Sequence, residues 1–412
     1  MKENLNIVLY ASGFLPALGG REFVVHYLAD ALLKLGHHVR VVGPAGFLKQ
    51  RNLRFRYPVH RWPTLRGLLP EQVAVTSLFL DIRLWGCDII HAHNTYPTGY
   101  FASLKRKHNC PLVITPHGED IQSIPELGHG LMLNPVLNKK IKYALAEAEL
   151  VTAISRNIEK ELINAGAARE KIRLIPNGVD IDRYSRRKED SSIKAWLGIP
   201  PESRIVVTVG RYNPRKGHEY AIRAMPKVID AEQRACLVIV GNKTEVLKPL
   251  IKQLNLDGKV ILTGGISPSM GILNRVVSMD EMQSENDYLA DLLGCSELYV
   301  SAGIDQNAEG LSLAILEAMA AGLPVVATDI SGNRDVVIPG ENGYLAKAAD
   351  SDSLADGIIK VLIDESIQKK MRENARKAAM EYDWMNIAQR YVDAYQEAIA
   401  IKQASASPQY EP

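Results

Sequence analysis

Cysteine is scarce. The 412-residue chain holds four, Cys87, Cys110, Cys236 and Cys295. None forms a C-x-x-C pair and no Cys/His cluster has zinc spacing, which excludes a disulfide scaffold and a zinc finger. The four thiols read as buried, reduced side chains of a cytosolic protein. Long apolar runs are missing as well. The longest candidate, residues 313–327, is interrupted by Glu317 and Pro324, and a membrane-spanning helix needs about 20 apolar residues. The apolar run 7–10 behind Lys2 and Glu3 is too short for a signal peptide. No G-x-G-x-x-G follows the first strand, so the dinucleotide fingerprint is absent, and no D-x-D follows an apolar strand to hold a diphosphate through a metal. Low complexity is absent too. With 46% apolar and 23% charged residues, 30 Gly and 21 Pro, the composition is that of a soluble globular protein, and the length predicts two domains.

Acidic residues are missing from one long stretch. Between Asp30 and Glu71 there is none, while Lys34, Arg40, Lys49, Arg51, Arg54, Arg56, Arg61 and Arg66 fall there, interleaved with Trp62 and other apolar residues. The first 180 residues carry 22 Lys+Arg against 15 Asp+Glu, whereas the whole chain is only +2. The stretch reads either as a solvated loop and helix face or as a surface for anionic phospholipid or an anionic acceptor. Nucleic acid does not suit a nearly neutral chain.

Strand and helix signals alternate. Short, mostly apolar runs occur at 5–10, 39–42, 88–91, 112–115, 150–154 and 172–175, and again at 205–209, 237–240, 260–263, 298–301 and 324–328. Between them apolar residues recur at helical spacing, as in Val24, Leu28, Ala31 and Leu35, ending at Gly36. Strands that are apolar on both faces and alternate with helices predict parallel sheets covered on both sides. A polar segment, 182–201, separates the halves as a linker. The reading is therefore α/β, with two doubly wound Rossmann-like domains, 1–181 and 182–384, facing a cleft. The chain after 352 is helical, with a helix at about 385–400 expected to pack back on the first domain, and the polar tail 403–412 reads as disordered. Segment 267–287 breaks the rhythm and reads as a long loop or added helix.

In such folds ligands bind beyond the carboxyl ends of strands, and the distinctive residues stand there. Gly19-Gly20 follows the first strand and precedes a helix, where small residues let a phosphate approach; alone, a plain turn is the simpler reading. Residues 210–217, G-R-Y-N-P-R-K-G, follow the strand ending at Val209. Arg211, Arg215 and Lys216 between two glycines suit a diphosphate, against the plainer reading of a solvated basic loop. Residues 309–317 read E-G-L-S-L-A-I-L-E. Glu309 just before a helix and Glu317 in its third turn lie about 12 Å apart along the axis. That is too far for a glycosidase pair and suits two hydroxyl clusters on one extended ligand. The amides of Gly310, Leu311 and Ser312 at that helix start are open to phosphate or sugar oxygens. His117, in T-P-H-G-E-D, follows another strand and reads as catalytic or structural. His91 and His93 also follow a strand signal, with no third ligand at metal spacing.

Together these marks resemble the retaining GT-B glycosyltransferases of the group 1, family 4 type. G-R-x-x-x-x-K-G, the E-x7-E running into E-A-M-A-A-G-L-P-V-V-A, and N-G-V-D at 177–180 carry the resemblance, which spans nearly the whole chain. It implies transfer of a hexose-type sugar from a UDP- or GDP-sugar donor to an acceptor hydroxyl with retained anomeric configuration. It implies no metal or cofactor, and a diphosphate oxygen that takes the acceptor's proton. By the same resemblance Gly20, beside Gly19, lies against the diphosphate, His117 contacts the transferred sugar, and Arg211 and Lys216 neutralise the diphosphate. Glu309 holds sugar hydroxyls, Glu317 holds the ribose, and Gly310 and Leu311 offer amides. Segment 267–287 is longer than usual near the expected base pocket. The acceptor expected from the basic first domain is a sugar or lipid-linked intermediate of polysaccharide, lipopolysaccharide or glycolipid synthesis, with the protein cytoplasmic and in peripheral contact with an anionic membrane. Rival readings are a soluble-acceptor transferase, a nucleotide-sugar epimerase and a non-catalytic binding module; the full set of Arg211, Lys216, Glu309 and Glu317 argues against the last.

Overall fold

The computed structural model describes residues 2–15, 19–44, 53–62, 70–104, 110–125, 128–185, 192–266, 277–278, 287–304 and 310–406. It divides into two compact units. One comprises Met1–Gly178 with Trp384–Pro412, the other Val179–Asp383.

The first unit is built on a seven-stranded sheet. Its strands are β1 (Asn6–Ala11), β2 (His38–Pro44), β3 (Val59–Trp62), β4 (Ile89–His93), β5 (Leu112–Thr115), β6 (Leu150–Ala153) and β7 (Ile172–Leu174). They run in the order β3-β2-β1-β4-β5-β6-β7, and every pairing is parallel. Ile7, Val8, Leu9 and Tyr10 in β1 are all fully buried, as a strand with helices on both faces requires. The helix Gly20–Lys34 follows β1 and buries Val24, Val25, Leu28 and Leu32. It ends where the sequence signalled. Gly36 takes φ +92°, and the amides of Gly36 and His37 donate to the carbonyls of Leu33 and Leu32, the paired bonds of a glycine-terminated helix.

Two features differ from expectation here. The acid-free stretch contains β3, whose short V-H-R-W run adds an edge strand. Its Trp62 is buried with its ring 5.3 Å from that of Tyr10. Four residues of alternating polarity carry too weak a strand signal to stand out within a stretch so rich in arginine. The final helix, Trp384–Ala406, is longer than the sequence suggested, so residues 403–406 are helical rather than part of a disordered tail. Residues 407–412 lie outside the described residues. This helix belongs to the first unit. Ile387, Tyr391, Tyr395 and Ala398 form its buried stripe, Trp384 stacks on Tyr27 at 6.0 Å, and Tyr395 Oη pairs with His91 Nδ1 of β4 at 2.7 Å.

The second unit repeats the architecture with β8 (Arg204–Val209), β9 (Ala235–Val240), β10 (Val260–Gly264), β11 (Leu298–Ser301), β12 (Val325–Thr328) and β13 (Gly343–Ala346). The order is β10-β9-β8-β11-β12-β13, again parallel throughout. β13 was not foreseen. Gly343 opens it because a Cβ there would stand 1.9 Å from the Val325 carbonyl oxygen. The segment expected to be a linker is also partly folded into this unit. It contains the helices Ile181–Ser185 and Ser192–Trp196, and Tyr184 and Ile193 join the core.

The Tyr395 contact gives a measurable expectation. Tyr395→Phe keeps the ring and strands His91 Nδ1, so it should cost about 1–3 kcal/mol of first-unit stability. Tyr395→Ala also empties a ring's volume and should cost about 3–5 kcal/mol. Denaturant unfolding of the three proteins checks the ranking; a Phe variant as stable as the parent would show the bond to be neutral.

Candidate functional site

In the second unit the basic turn 210–217 leaves β8 at its carboxyl end. Asn213 caps a short 3-10 turn, its side chain accepting from the Arg215 amide at 3.0 Å. Gly217 then adopts φ +64°, and a Cβ there would meet the Ala302 carbonyl oxygen at 1.9 Å, so the left-handed conformation and the close approach both demand glycine. The Ile304 amide donates to the Arg215 carbonyl at 3.0 Å. These contacts tie the basic turn to the segment after β11, the neighbouring strand. Gly241, after β9, closes on the Gly210 carbonyl, where a Cβ would sit at 2.0 Å. Arg211 is exposed, and the aliphatic stem of Lys216 runs past Gly210. Nη1 of Arg215 is buried with no hydrogen-bond partner among the described residues. A buried guanidinium nitrogen is costly unless a water or an anion meets it.

The helix after β11 is Leu313–Ala320, with Ser312 as its N-cap. Glu317 therefore lies in its second turn, not its third. The amides of Gly310 and Leu311 precede the helix rather than belonging to its first turn. Glu309 lies outside the described residues, as does most of segment 267–287. Glu317 is half-buried, and burial raises its carboxyl above the usual range. Arg183 and Tyr184 oppose that shift, and Asp287 adds to it. Sequence reasoning missed these three neighbours. Arg183 forms a two-bond ion pair with Asp287, Nε to Oδ2 at 2.5 Å and Nη2 to Oδ1 at 2.9 Å, and lies 4.6 Å over the Tyr184 ring. The one available signal was N-G-V-D: its Asp180 accepts from the Arg183 amide at 3.0 Å and starts the short helix that carries both residues.

In the first unit Gly19 is the N-cap and Gly20 the first residue of the helix after β1. Arg21 donates to Asn94 Oδ1 at 3.1 Å and to Glu22 Oε1 at 3.0 Å. Asn94 directly follows β4, so two adjacent strand ends are joined. His117 follows β5, the next strand, and its amide donates to Asp120 Oδ1 at 2.9 Å. The other oxygen of Asp120 takes the Thr95 amide at 2.7 Å. This buried carboxylate therefore clamps the loops after β4 and β5 together. His117 Nε2 meets His93 Nδ1 at 3.3 Å, and His93 packs against His91 with ring centroids 4.2 Å apart. Burial, aided by the Arg21 cation, pushes His93 down to about 3. Burial and the neighbouring rings hold His91 well below the ordinary histidine range, and burial, His93 and Arg21 do the same for His117. Among the described residues no group of three His, Cys, Asp or Glu side chains is arranged to hold a metal, and no helix is long and apolar enough to cross a membrane.

Suppressed histidine protonation has a signed consequence. The unfolded chain binds these protons near 6.5 while native His93 does not until about 3, so stability falls as pH drops through that window. In His93→Asn the acid slope should lessen by about one proton, roughly 1.4 kcal/mol per pH unit near pH 5. Unfolding free energies measured from pH 4 to 7 check this; parallel curves would contradict it.

Comparison with known proteins agrees with this layout. Residues 189–378 match the family described as glycosyl transferases group 1, and residues 18–183 match glycosyltransferase family 4. The chain is 25% identical to the N-acetyl-alpha-D-glucosaminyl L-malate synthase of Bacillus anthracis, over 92% of this chain and 93% of that protein. It is 26% identical to a phosphatidyl-myo-inositol mannosyltransferase of Mycobacterium leprae, again over 92% and 93%. Among solved structures, Anabaena HepE in complex with UDP and glucose superposes with a TM-score of 0.75 at 22% identity, covering 95% of this chain and all of that one. Two parallel-sheet units, family matches across both, and relatives aligned along nearly their whole lengths lead to one conclusion: the chain belongs to the glycosyltransferases of group 1 and family 4, with the two-domain GT-B fold.

Proposed function

We propose that this glycosyltransferase moves a hexose from a UDP- or GDP-sugar to an acceptor hydroxyl, with retention of configuration and without a metal. The observation that carries the reading is the basic turn at the carboxyl end of β8, where Arg211 and Lys216 flank a buried Arg215 nitrogen that has no partner among the described residues. Such a cluster neutralises a diphosphate directly. In this reading Glu317 holds ribose hydroxyls, Glu309 holds hydroxyls of the sugar, and Gly310, Leu311 and Ser312 offer amides. Two roles fall on the first unit: the Gly19-Gly20 helix start takes diphosphate charge, and His117 contacts the transferred sugar. The bond from the anomeric carbon to the diphosphate breaks, the acceptor oxygen bonds to that carbon on the same face, and the diphosphate oxygen receives the acceptor's proton. The UDP and glucose bound by Anabaena HepE support a nucleotide-sugar donor. The name of the phosphatidyl-myo-inositol enzyme supports a lipid-linked acceptor, while that of the malate enzyme favours the alternative of a small soluble acceptor bearing a hydroxyl.

Sugar transfer should persist in excess chelator, and Lys216→Ala should lower kcat/KM by a factor on the order of 10². Assays of UDP- and GDP-hexoses with and without EDTA decide the matter; complete loss in EDTA, restored by magnesium or manganese, would refute the charge assignment.

We also propose peripheral contact with an anionic membrane. The basic surface expected from the sequence is smaller than its residue count. Arg40 is buried against Asp81 at 2.5 Å, Arg61 donates to the Leu15 carbonyl at 2.6 Å, and Lys34 pairs with Asp30 at 2.9 Å. Lys49, Arg51 and Arg66 lie outside the described residues. Support comes instead from the end of the helix Pro70–Trp85, where exposed Arg83 accompanies Leu84 and Trp85, 73% and 63% exposed. Apolar side chains beside a cation suit the boundary of an anionic bilayer. Flotation with phosphatidylglycerol-containing vesicles should show binding that weakens with salt and drops severalfold in the Leu84→Ser, Trp85→Ser double variant; no binding at low salt would remove this part of the reading.

A further inference from the structure

The buried histidines behind His117 have no role in the reading above, although they are the most unusual polar group in the first unit's core. His91 is fully satisfied. Its Nδ1 pairs with Tyr395 Oη at 2.7 Å and its Nε2 with Thr115 Oγ1 at 2.6 Å. Tyr395 comes from the final helix, so that helix fixes the His91 ring, and the His91 ring in turn packs against His93. His93 and His117 have planes only 18° apart and centroids 5.6 Å apart. Their nitrogens are 3.3 Å apart. With ring radii of about 1.1 Å, that centroid separation is what two coplanar rings meeting edge to edge through an N–H···N bond would show. The contact is thus a hydrogen bond in the ring plane rather than a face-to-face stack.

Only one proton can lie between these two nitrogens, and its owner follows from the other end of His93. Nε2 of His93 is buried and has no hydrogen-bond partner among the described residues. If the proton of neutral His93 were on Nε2, an N–H would be orphaned in the core, close enough to the Arg21 cation for that charge to act on the ring. If the proton is on Nδ1, the orphan is a lone pair, which the same cation favours. We propose that His93 is a positioning residue that donates from Nδ1–H to Nε2 of His117, holding His117 neutral with its own proton on Nδ1. His117 then presents a fixed N–H donor, and not a base, to a hydroxyl of the transferred sugar. This rests on the reading that His117 contacts that sugar. Depressed protonation of both rings agrees with it, and the Asp120 bond to the His117 amide holds the backbone in register.

The test has a spectroscopic arm and a kinetic arm, both on the full chain. In ¹⁵N-histidine-labelled protein, with signals assigned by their loss in His117→Asn, His117 should show a protonated Nδ1 and an unprotonated Nε2. The opposite pattern overturns the proposal. His93→Phe keeps a ring against His91 and removes the donor. It should lower kcat about tenfold or more, with KM for the sugar nucleotide within about twofold. His93→Asn places an amide N–H where Nδ1 stood and should recover most of the loss. Unchanged kcat in His93→Phe, or an Asn variant no better than Phe, overturns the proposal. The spectroscopic arm uses the unaltered ring pair and stands even where a variant folds poorly. His117→Ala separates the two ideas: full transfer activity in it would sink the sugar-contact reading itself, and a wrong tautomer with an inactive His117→Ala would sink only the role of His93.

Discussion

A parallel sheet covered by helices on both faces leaves open space for a ligand only at the strand ends. Polar groups inside the strands, such as His91 and Arg40, are instead paired within the protein. Residues 205–207 and 237–239 are buried without interruption, so nothing along those strands can bind a charged ligand. At the carboxyl ends the helices begin, and loops bring amides, glycines and charged side chains together. The basic turn after β8, the Gly19-Gly20 helix start after β1 and His117 after β5 are three cases of one rule. Neighbouring strands then matter more than neighbouring sequence. β8 and β11 pair, so Gly217 meets Ala302; β4 and β5 pair, so Asp120 can bind the amides of both Thr95 and His117.

The site regions keep polar groups where an ordinary core would have none, and each is supported differently. Asp120 is compensated by backbone amides and the Thr95 hydroxyl. Arg183 and Asp287 compensate each other and set the field around Glu317. The histidines of β4 stay neutral, which avoids the cost of a buried charge. Arg215 Nη1, by contrast, is left bare among the described residues, and a ligand anion is the simplest group to complete it. On the proposed reading, stability and binding would draw on the same residues, with the diphosphate completing this donor.

The final helix shows how far a distant segment can reach into the core of the first unit. Its stripe of Ile387, Tyr391 and Tyr395 is buried in the first unit, and Gly178 accommodates the return because any Cβ there would strike the Trp384 ring at 2.4 Å. Tyr395 then reaches a histidine more than 300 residues earlier. A helix that supplies apolar area thus also supplies a hydroxyl to His91, whose other nitrogen is satisfied by Thr115 of the neighbouring strand.

What the sequence by itself determined was local in origin. Apolar runs, helical spacing and glycine stops are written in consecutive residues, so the α/β class, most strands, the end of the first helix at Gly36 and the strand-end motifs were legible. The weak signals failed for the same reason: β3 is a four-residue edge strand, β13 opens on a glycine, and the polar stretch after 180 hides Tyr184, whose burial depends on partners elsewhere. Only the tertiary structure decided which polar residues meet. Arg183 and Asp287 are 104 residues apart, His91 and Tyr395 304. No spacing rule links such pairs, because sheet order and helix return bring them together, and the protonation of Glu317 and of the three histidines is set by that packing rather than by residue type.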